Sequence, residues 1–374
     1  MSCWRVRLNN QVQNQNSNRI PMLDGIRALA VILVVASHYG LGHIIPGGFG
    51  VTVFFFLSGY LITTLLLDEH REKGFLDLKG FYYRRALRIL PPMYFACILG
   101  ATLALTGVVD SEMTLGGVGS QLFHYTNYYL VFSSYINVIP GLGLLWSLAV
   151  EEHFYLVFPM ILVVSLKYLS FKKVGIILFI FCAFILTWRY YLDLTGASNT
   201  RLYMATDTRI DSILFGCILA LTWNPINTNK SFVELRFHYG TIVVGIFSLV
   251  LLLYCFINRD ETFRYVYRFS IQGVGLFFLF WLCIRYHSSV IFSWLDSKPL
   301  RYLGKISFSI YLLHYLVYLV INDFFMSSHL LTSVLSVIIT VFLADLIYRF
   351  IEKPLGKIRR QLKVSKSKIV RGRV

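Results

Sequence analysis

The chain alternates between long apolar stretches and short polar ones. Each long stretch can cross a hydrocarbon layer of about 30 Å as an α-helix. The pattern therefore predicts an all-α polytopic membrane protein with about ten transmembrane helices in one bundle. The predicted spans are 25–45, 49–67, 91–108, 144–168, 174–192, 208–223, 238–257, 270–290, 302–322 and 330–350.

Three segments do not follow this pattern. Residues 118–137, "VGSQLFHYTNYYLVFSSYIN", are too polar and too rich in tyrosine for a span, so we expect an interfacial or re-entrant segment. Residues 1–21 form a polar leader without a cleavable signal-peptide pattern, and residues 358–374 form a basic tail. We expect the membrane domain to cover 22–357, with no soluble domain and no internal repeat.

Composition and charge agree with a membrane protein. Hydrophobic residues make up 56% of the chain, and its mean hydropathy is +0.64. The net charge of +16 could indicate nucleic-acid binding, but 29 of the 35 Lys and Arg residues lie on one side of the predicted topology. This is the positive-inside pattern, so we expect both termini in the cytoplasm, the tail on anionic lipid and no nucleic-acid partner.

The six cysteines show no spacing typical of a metal site or a disulfide framework. Five of them fall within predicted spans, where a thiol packs as a small apolar group. We expect neither a metal nor a bound cofactor.

Polar residues inside the spans are the first candidates for chemistry, because they are costly there and usually face a bundle interior or a wet cavity. Arg27 and His38 are eleven positions apart, which places them on one helix face about 16 Å apart. Glu151 lies seven residues past Leu144, where the fourth span begins, or about 10 Å below the outer surface, a depth similar to that of His38. A carboxylate beside a histidine is a general-base arrangement, although each residue could instead be a structural hydrogen-bonding group.

The ninth span carries a polar stripe of Ser307, Tyr311 and His314 at i, i+4 and i+7. These residues could contribute to the same site, but interhelical hydrogen bonding explains the pattern equally well.

A second cluster precedes the third span. Arg84 and Arg88 share a helix face, Arg85 is adjacent, and Pro91 marks the start of the span. This pattern predicts a cytoplasmic interfacial helix whose guanidinium groups bind a multiply charged phosphate ligand. An ordinary anchor to lipid phosphates is the alternative.

Two further charged groups favour structural roles. Asp207 and Asp211 bracket Arg209 in "TDTRIDSILFGC", which predicts a self-neutralised cluster, with contact to a polar acceptor as the alternative. Asp345 and Arg349 are spaced as an intrahelical ion pair.

Seven blocks in order resemble the acyltransferase family 3 integral membrane proteins, over residues 22 to 357. They are "LDGIRALAVILVVASH", "GGFGVTVFFFLSGYLI", "FYYRRALRILPPMY", "WSLAVEEHFYLVFP", "TDTRIDSILFGC", "YLGKISFSIYLLHY" and "IEKP". Two positions depart from the pattern, since Thr52 stands where many relatives have aspartate and His153 where glutamine is common.

The resemblance implies a bacterial inner-membrane O-acyltransferase. It would move an acyl group, commonly acetyl, from cytoplasmic acyl-CoA to a hydroxyl of a cell-surface glycan such as lipopolysaccharide O-antigen, exopolysaccharide or peptidoglycan. His38 would be catalytic with Glu151 assisting, and Arg27 would bind the donor with Arg84, Arg85 and Arg88. The remaining candidates, for acceptor contact or support, are Trp146, Ser147, Glu152, Asp207, Arg209, Asp211, Ser307, Tyr311 and His314.

A transporter or proton-coupled permease is the competing interpretation, because intramembrane Arg, His and Glu also mark translocation paths. Transporter folds often have internal repeats and broken helices at the binding site, and the sequence indicates neither. A membrane receptor or scaffold would leave the intramembrane charges unexplained. Acceptor identity, acyl length, oligomeric state and the choice between direct transfer and an acyl-enzyme are left open by the sequence.

Overall fold

The structure is a computed structural model that describes residues 20–225, 238–324, 329–359 and 361. Helices make up the regular structure of this part of the chain. The α-helices are α1 Leu23–Ala36, α2 Gly47–Lys73, α3 Leu78–Leu105, α4 Leu115–Leu122, α5 Thr126–Phe132, α6 Leu145–Tyr168, α7 Phe171–Leu194, α8 Asn199–Met204, α9 Thr206–Arg209, α10 Asp211–Thr222, α11 Tyr239–Ile257, α12 Arg268–Arg285, α13 Val290–Ser293, α14 Lys298–Phe324 and α15 His329–Ile347. Three π-helical segments (Ser37–Leu41, Phe263–Tyr267 and Tyr348–Glu352) and two 3₁₀ turns (Tyr135–Asn137 and Trp294–Asp296) adjoin them.

Within the described residues, nine helices are long and apolar enough to cross a membrane. They correspond to nine of the ten predicted spans, which confirms an all-α polytopic fold. The remaining predicted span, 208–223, corresponds to α10, which has 12 residues. At 1.5 Å per residue α10 is about 18 Å long, too short to cross the hydrocarbon layer alone. Nearly all of its residues are buried, so it is a helix of the bundle interior.

The helix that carries His38 is interrupted, contrary to the expectation of unbroken helices. α1 ends at Ala36 and passes into a π-helical turn at Ser37–Leu41. Within that turn Gly40 has a φ of +94°, a conformation that favours glycine. Such π-turns recur at functional sites because they re-aim one side chain without ending the helix.

The predicted interfacial helix before Pro91 is wrong as a separate element. α3 runs without a break from Leu78 to Leu105 and contains Pro91 and Pro92, and Asp77 caps its first turn through Gly80 N. Proline is tolerated inside membrane helices because neighbouring groups satisfy the freed carbonyls. The polar stretch 118–137 forms α4, α5 and a 3₁₀ turn, none long enough to cross, which agrees with the sequence prediction.

Small residues allow close helix packing at the centre of the bundle. A Cβ added to Gly216 of α10 would lie 2.0 Å from Phe56 O of α2, and one on Gly59 would lie 1.9 Å from Ile213 O. α14 approaches α1 in the same way, since a Cβ on Gly304 would lie 1.8 Å from Asp24 O. Backbones that touch at small residues are typical of membrane helix interfaces. These contacts fix α1, α2 and α14 around the polar side chains described next.

The polar leader lies outside the described residues except for its last two, and so does nearly all of the basic tail. The five cysteines that the structure describes are buried and unpaired, as expected for packing residues.

Candidate active site

One cavity in the bundle, the arginine cavity, is lined by Arg27 of α1 and by Arg85 and Arg88 of α3. Its other walls are mostly apolar, with polar groups from Glu151 and Ser58. The cavity volume is about 90 Å³. Small-molecule sites usually measure about 300–1,000 Å³, so this cavity is a narrow slot rather than a complete ligand site.

The three lining arginines differ in their carboxylate partners. Arg27 lies 3.6 Å from Asp24, one turn earlier, and Arg85 lies 3.4 Å from Glu151. No carboxylate of the described residues lies within 4 Å of the Arg88 guanidinium. Arg84 instead pairs with Glu69 at 3.5 Å and does not line the cavity. Of the four arginines predicted to bind the donor, Arg27, Arg85 and Arg88 line the cavity and Arg84 does not, because the i, i+3 face of α3 points inward.

Glu151 is held in this cavity by three donors. Tyr155 donates to its Oε2 at 2.6 Å, Ser58 to its Oε1 at 3.0 Å, and Arg85 to its Oε2 at 3.4 Å. The Arg85 guanidinium also lies 3.5 Å from the centre of the Tyr155 ring. Glu152 lies farther from Arg85 than Glu151 does, with its Oε1 4.0 Å from Arg85 Nε.

The prediction that Glu151 lies beside His38 is wrong. Gly47 of α2 packs against Ser37, since an added Cβ would lie 2.5 Å from Ser37 Cβ. Ser58, which contacts Glu151, comes eleven residues later in α2, or about 16 Å along the helix. Glu151 and His38 therefore lie at different levels along α2, since equal numbers of residues from each apparent span end do not give equal depth.

A second cavity, the histidine cavity, contains His38. Its volume is about 670 Å³, within the range of small-molecule sites. Aromatic side chains line it, among them Trp146 and Tyr203, whose ring centres are 5.1 Å apart. Tyr135 also lines it, and its hydroxyl donates a hydrogen bond to Met204 Sδ at 3.4 Å. Such a cavity can hold a ligand that has both apolar faces and hydroxyl groups.

The partner of His38 is His314 of α14. His38 Nδ1 and His314 Nε2 are 2.8 Å apart, and His314 Nδ1 is 2.7 Å from Tyr311 O. A carbonyl oxygen only accepts, so His314 Nδ1 carries the proton. A fully buried imidazolium without a counter-charge is unfavourable, so His314 is neutral and its Nε2 accepts from His38 Nδ1–H. His38 Nε2 is then left with its lone pair, which is the state a base or a nucleophile requires.

The polar stripe of the ninth span connects the two cavities. Ser307 lines the arginine cavity, Tyr311 lines both, and His314 contacts His38 in the histidine cavity. The Tyr311 hydroxyl is 2.6 Å from Ser147 Oγ and donates to Leu144 O at 3.1 Å. The stripe is therefore part of the site as well as a set of interhelical contacts.

The predicted Asp207–Arg209–Asp211 cluster does not form. Asp211 pairs with Arg189 at 2.7 Å, and Asp207 pairs with Arg201 at 2.5 Å. Arg209 instead lies 3.6 Å from the centre of the Phe269 ring, with Nη2 donating to Thr52 Oγ1 at 3.2 Å. Residues 206–211 are divided between two short helices, α9 and α10, which separates the three side chains.

Asp207 is a structural acceptor at the edge of the bundle. Burial would raise the pKa of its carboxyl, but hydrogen bonds from Arg201, Trp188 and Tyr128 outweigh burial and hold that pKa below its usual range. The predicted Asp345–Arg349 ion pair is confirmed at 2.8 Å.

Sequence reasoning missed several residues that support the site. Ser58 and Tyr155 hold Glu151, and Tyr39 donates to the backbone carbonyl of His314 at 2.8 Å. Tyr203 separates the histidine cavity from the space beside it. Tyr39 and Tyr155 could have been proposed from the sequence, since each is a polar aromatic residue within four positions of a predicted site residue.

The family model for an acyltransferase domain, acyltransferase 3, matches residues 20–349. The chain belongs to this family. Acyltransferase family 3 relatives include "O-acetyltransferase OatA" of Staphylococcus aureus, 31% identical over 347 residues, and "Putative peptidoglycan O-acetyltransferase YrhL" of Bacillus subtilis, 33% identical over 362 residues.

The alignments cover 90% and 92% of this chain but 57% and 56% of the two relatives, so the chain spans just over half the length of the curated relatives it matches. No solved structure matches it. Family membership confirms the resemblance drawn from the seven blocks. It also weighs against a transporter. The expected absence of broken helices cannot be used against a transporter, because the helix that carries His38 is interrupted.

Proposed function

We propose that this multi-pass membrane protein is a bacterial inner-membrane O-acetyltransferase. It moves an acetyl group from acetyl-CoA, bound at the arginine cavity, to a hydroxyl of a cell-surface glycan in the histidine cavity. The observation that carries the proposal is that Tyr311 and Val51 line both cavities. Three arginines whose chemistry suits phosphate and a histidine with an available lone pair thus lie in cavities that adjoin at Tyr311.

The donor side follows from charge and size. Three arginines surround a slot of about 90 Å³, and Arg88 has no carboxylate within 4 Å among the described residues. Guanidinium groups bind phosphates through forked hydrogen bonds, which offset the cost of clustering like charges. The slot is too narrow for a nucleotide but suits an extended acyl-pantetheine arm, so the phosphates would stay at its mouth while the thioester moves towards Tyr311.

The transfer step uses His38 Nε2. In direct transfer Nε2 takes the proton of the acceptor hydroxyl, the oxygen bonds to the thioester carbon, and the C–S bond breaks. The departing sulfur then takes the proton from His38. In the relay Nε2 itself attacks the thioester carbon, and the C–S bond breaks to release the CoA thiolate. The acceptor oxygen then bonds to the acetyl carbon, the bond from that carbon to Nε2 breaks, and the acceptor proton passes to the thiolate. His314 holds the same His38 tautomer in both routes.

The acceptor would be a sugar hydroxyl of a surface glycan. The aromatic walls of the histidine cavity offer flat apolar surfaces with polar edges, which match the faces of a sugar ring. One relative is named for peptidoglycan, which makes a peptidoglycan sugar the first acceptor to test, ahead of lipopolysaccharide and exopolysaccharide.

The test is acetyl transfer by purified protein in liposomes, with labelled acetyl-CoA and short glycan oligomers. We expect label on the glycan from the parent protein and none from His38→Ala. Arg349→Gln is the control, because Arg349 is exposed and lines neither cavity. Retained activity in His38→Ala would overturn the assignment, and solute uptake without consumption of acetyl-CoA would support a permease instead. Rapid trapping of the acyl-enzyme with labelled donor, without exposure to acid, distinguishes the routes, since label on His38 indicates the relay.

A further inference from the structure

A third cavity, the lateral cavity, adjoins the histidine cavity and is basic. Its volume is about 390 Å³, and Arg259, Arg264 and Arg268 line it. Arg264 and Arg268 are one turn apart at the π-helical entry to α12, so they present their charges side by side. None of the described residues that line it is acidic.

These arginines have no counter-charge of their own. Within the described ranges 20–225, 238–324 and 329–359, no carboxylate lies within 4 Å of any of the three guanidinium groups. The neighbouring acids are engaged elsewhere, since Asp260 accepts from Phe263 N at 2.6 Å and Glu261 from Asn199 Nδ2 at 2.5 Å. A cluster of guanidinium groups without acids attracts an anion from solution.

Gln272 adds a neutral donor at the inner wall. It follows Arg268 by one turn, lines the cavity and is only 2% exposed. Its amide makes no hydrogen bond to the part of the protein that the structure describes. An amide that has no protein partner and stays accessible from the cavity, next to two arginines, is suited to bind an oxygen of the same ligand.

The lateral cavity shares part of its wall with the histidine cavity. Ser37, which precedes His38, lines both the lateral and the histidine cavity, and so do Gly47 and Tyr203. An acceptor whose hydroxyl lies at His38 can therefore extend a neighbouring substituent past Tyr203 into the basic space.

We infer that the acceptor glycan is acidic and that its carboxylate or phosphate binds Arg264, Arg268 and Gln272 beside the hydroxyl that is acylated. This inference rests on the proposed function and adds the class of acceptor to it. Anionic lipid headgroups share the same chemistry. Such headgroups would be drawn to the exposed Arg259 at the rim. Gln272 is a largely buried residue at the inner wall, where a headgroup at the membrane surface would not contact it.

The experiment compares two acceptors that differ only in charge: a short oligosaccharide bearing one uronic acid per repeat, and the same oligosaccharide with its carboxyl groups reduced to alcohols. Acetyl transfer to each is measured with the full-length protein in liposomes of neutral lipid and in liposomes containing anionic lipid. The variants are Arg264→Gln/Arg268→Gln and the charge-preserving Arg264→Lys/Arg268→Lys, with Arg349→Gln as the control for loss of one positive charge. Binding of the acidic oligosaccharide to His38→Ala is measured by calorimetry as a readout without turnover.

We expect kcat/KM for the acidic oligosaccharide to exceed that for its reduced form by roughly tenfold or more, the range for charge-assisted hydrogen bonds. The double glutamine variant should lose that preference and keep its rate on the reduced acceptor within about twofold, while the lysine variant retains most of the preference. Equal rates on both acceptors in all variants would overturn the inference and leave the proposed function intact. A preference that disappears in neutral lipid would assign the arginines to lipid, and transfer to neither acceptor together with no calorimetric binding would overturn the inference.

Discussion

Replacement of His314 tests whether this residue sets the reactive state of His38. In His314→Leu the His38 Nδ1–H loses its acceptor, and the ring is free to rotate or to change tautomer. Loss of one partner from a buried hydrogen bond costs about 1–3 kcal/mol. If that cost falls on the reactive geometry, kcat decreases roughly 5- to 150-fold.

His314→Gln is the matched variant, because the Gln carbonyl oxygen can accept from His38 Nδ1–H close to the position of the lost Nε2. We expect it to recover most of the activity that His314→Leu loses. The assay is steady-state thiol release from acetyl-CoA coupled to acceptor acetylation, with kcat and KM for the donor measured separately. The effect should fall on kcat, since His314 lines no part of the arginine cavity. Full activity of His314→Leu, or equal losses in the Leu and Gln variants, would refute this assignment of tautomers.

Three further predictions concern the donor site, the kink and the edge of the bundle. Arg88→Gln should raise the KM for acetyl-CoA roughly 10- to 150-fold, the effect of one charge-assisted hydrogen bond. Arg84→Gln should change that KM little, because Arg84 does not line the arginine cavity, and equal effects in a donor titration would contradict a donor site limited to Arg27, Arg85 and Arg88. Gly40→Ala should lower the free energy of unfolding by about 1–3 kcal/mol, because alanine is strained at a φ of +94°. Backbone strain is the whole effect, since an added Cβ meets nothing within 4 Å. Gly240→Ala, also open but helical, should not lower it in the same melting experiment. Asp207→Asn should lower the melting temperature at pH 7; because the folded-state pKa of Asp207 is depressed, the difference from the parent should persist down to about pH 4 and shrink only below it. A difference that does not depend on pH would show that charge is not the cause.

The apolar pattern predicted the helices well because membrane spans must satisfy their own backbone hydrogen bonds over a known thickness. Helix bounds were less predictable where a helix extends beyond its apolar span into polar sequence. In α3 the first thirteen residues were predicted to form a separate interfacial helix, but they belong to the same helix as the span. The short α10 looked like a span because residues buried inside a bundle are as apolar as residues that face lipid.

The site was predictable in its residues but less so in its pairings. Arg27, Arg85 and Arg88 line one cavity and His38 lines its neighbour, so four of the predicted residues lie at cavities, while their roles stay predictions. The partner of His38 was misassigned because depth was counted from apparent span ends, and these do not reveal the kink at Gly40. Arg209 was paired with its sequence neighbours, whereas aromatic rings and Thr52 from distant helices surround it.

The central claim is that the arginine and histidine cavities form one path for the donor. A structure of the protein bound to a thioether analogue of acetyl-CoA, which cannot transfer its acetyl group, tests this most directly. The account predicts phosphate density at Arg27, Arg85 and Arg88, a pantetheine arm that displaces the Ser147–Tyr311 hydrogen bond, and the acetyl carbon next to His38 Nε2. Density for the nucleotide at any other face of the bundle, with the Tyr311 contact intact and nothing beside His38, would contradict it.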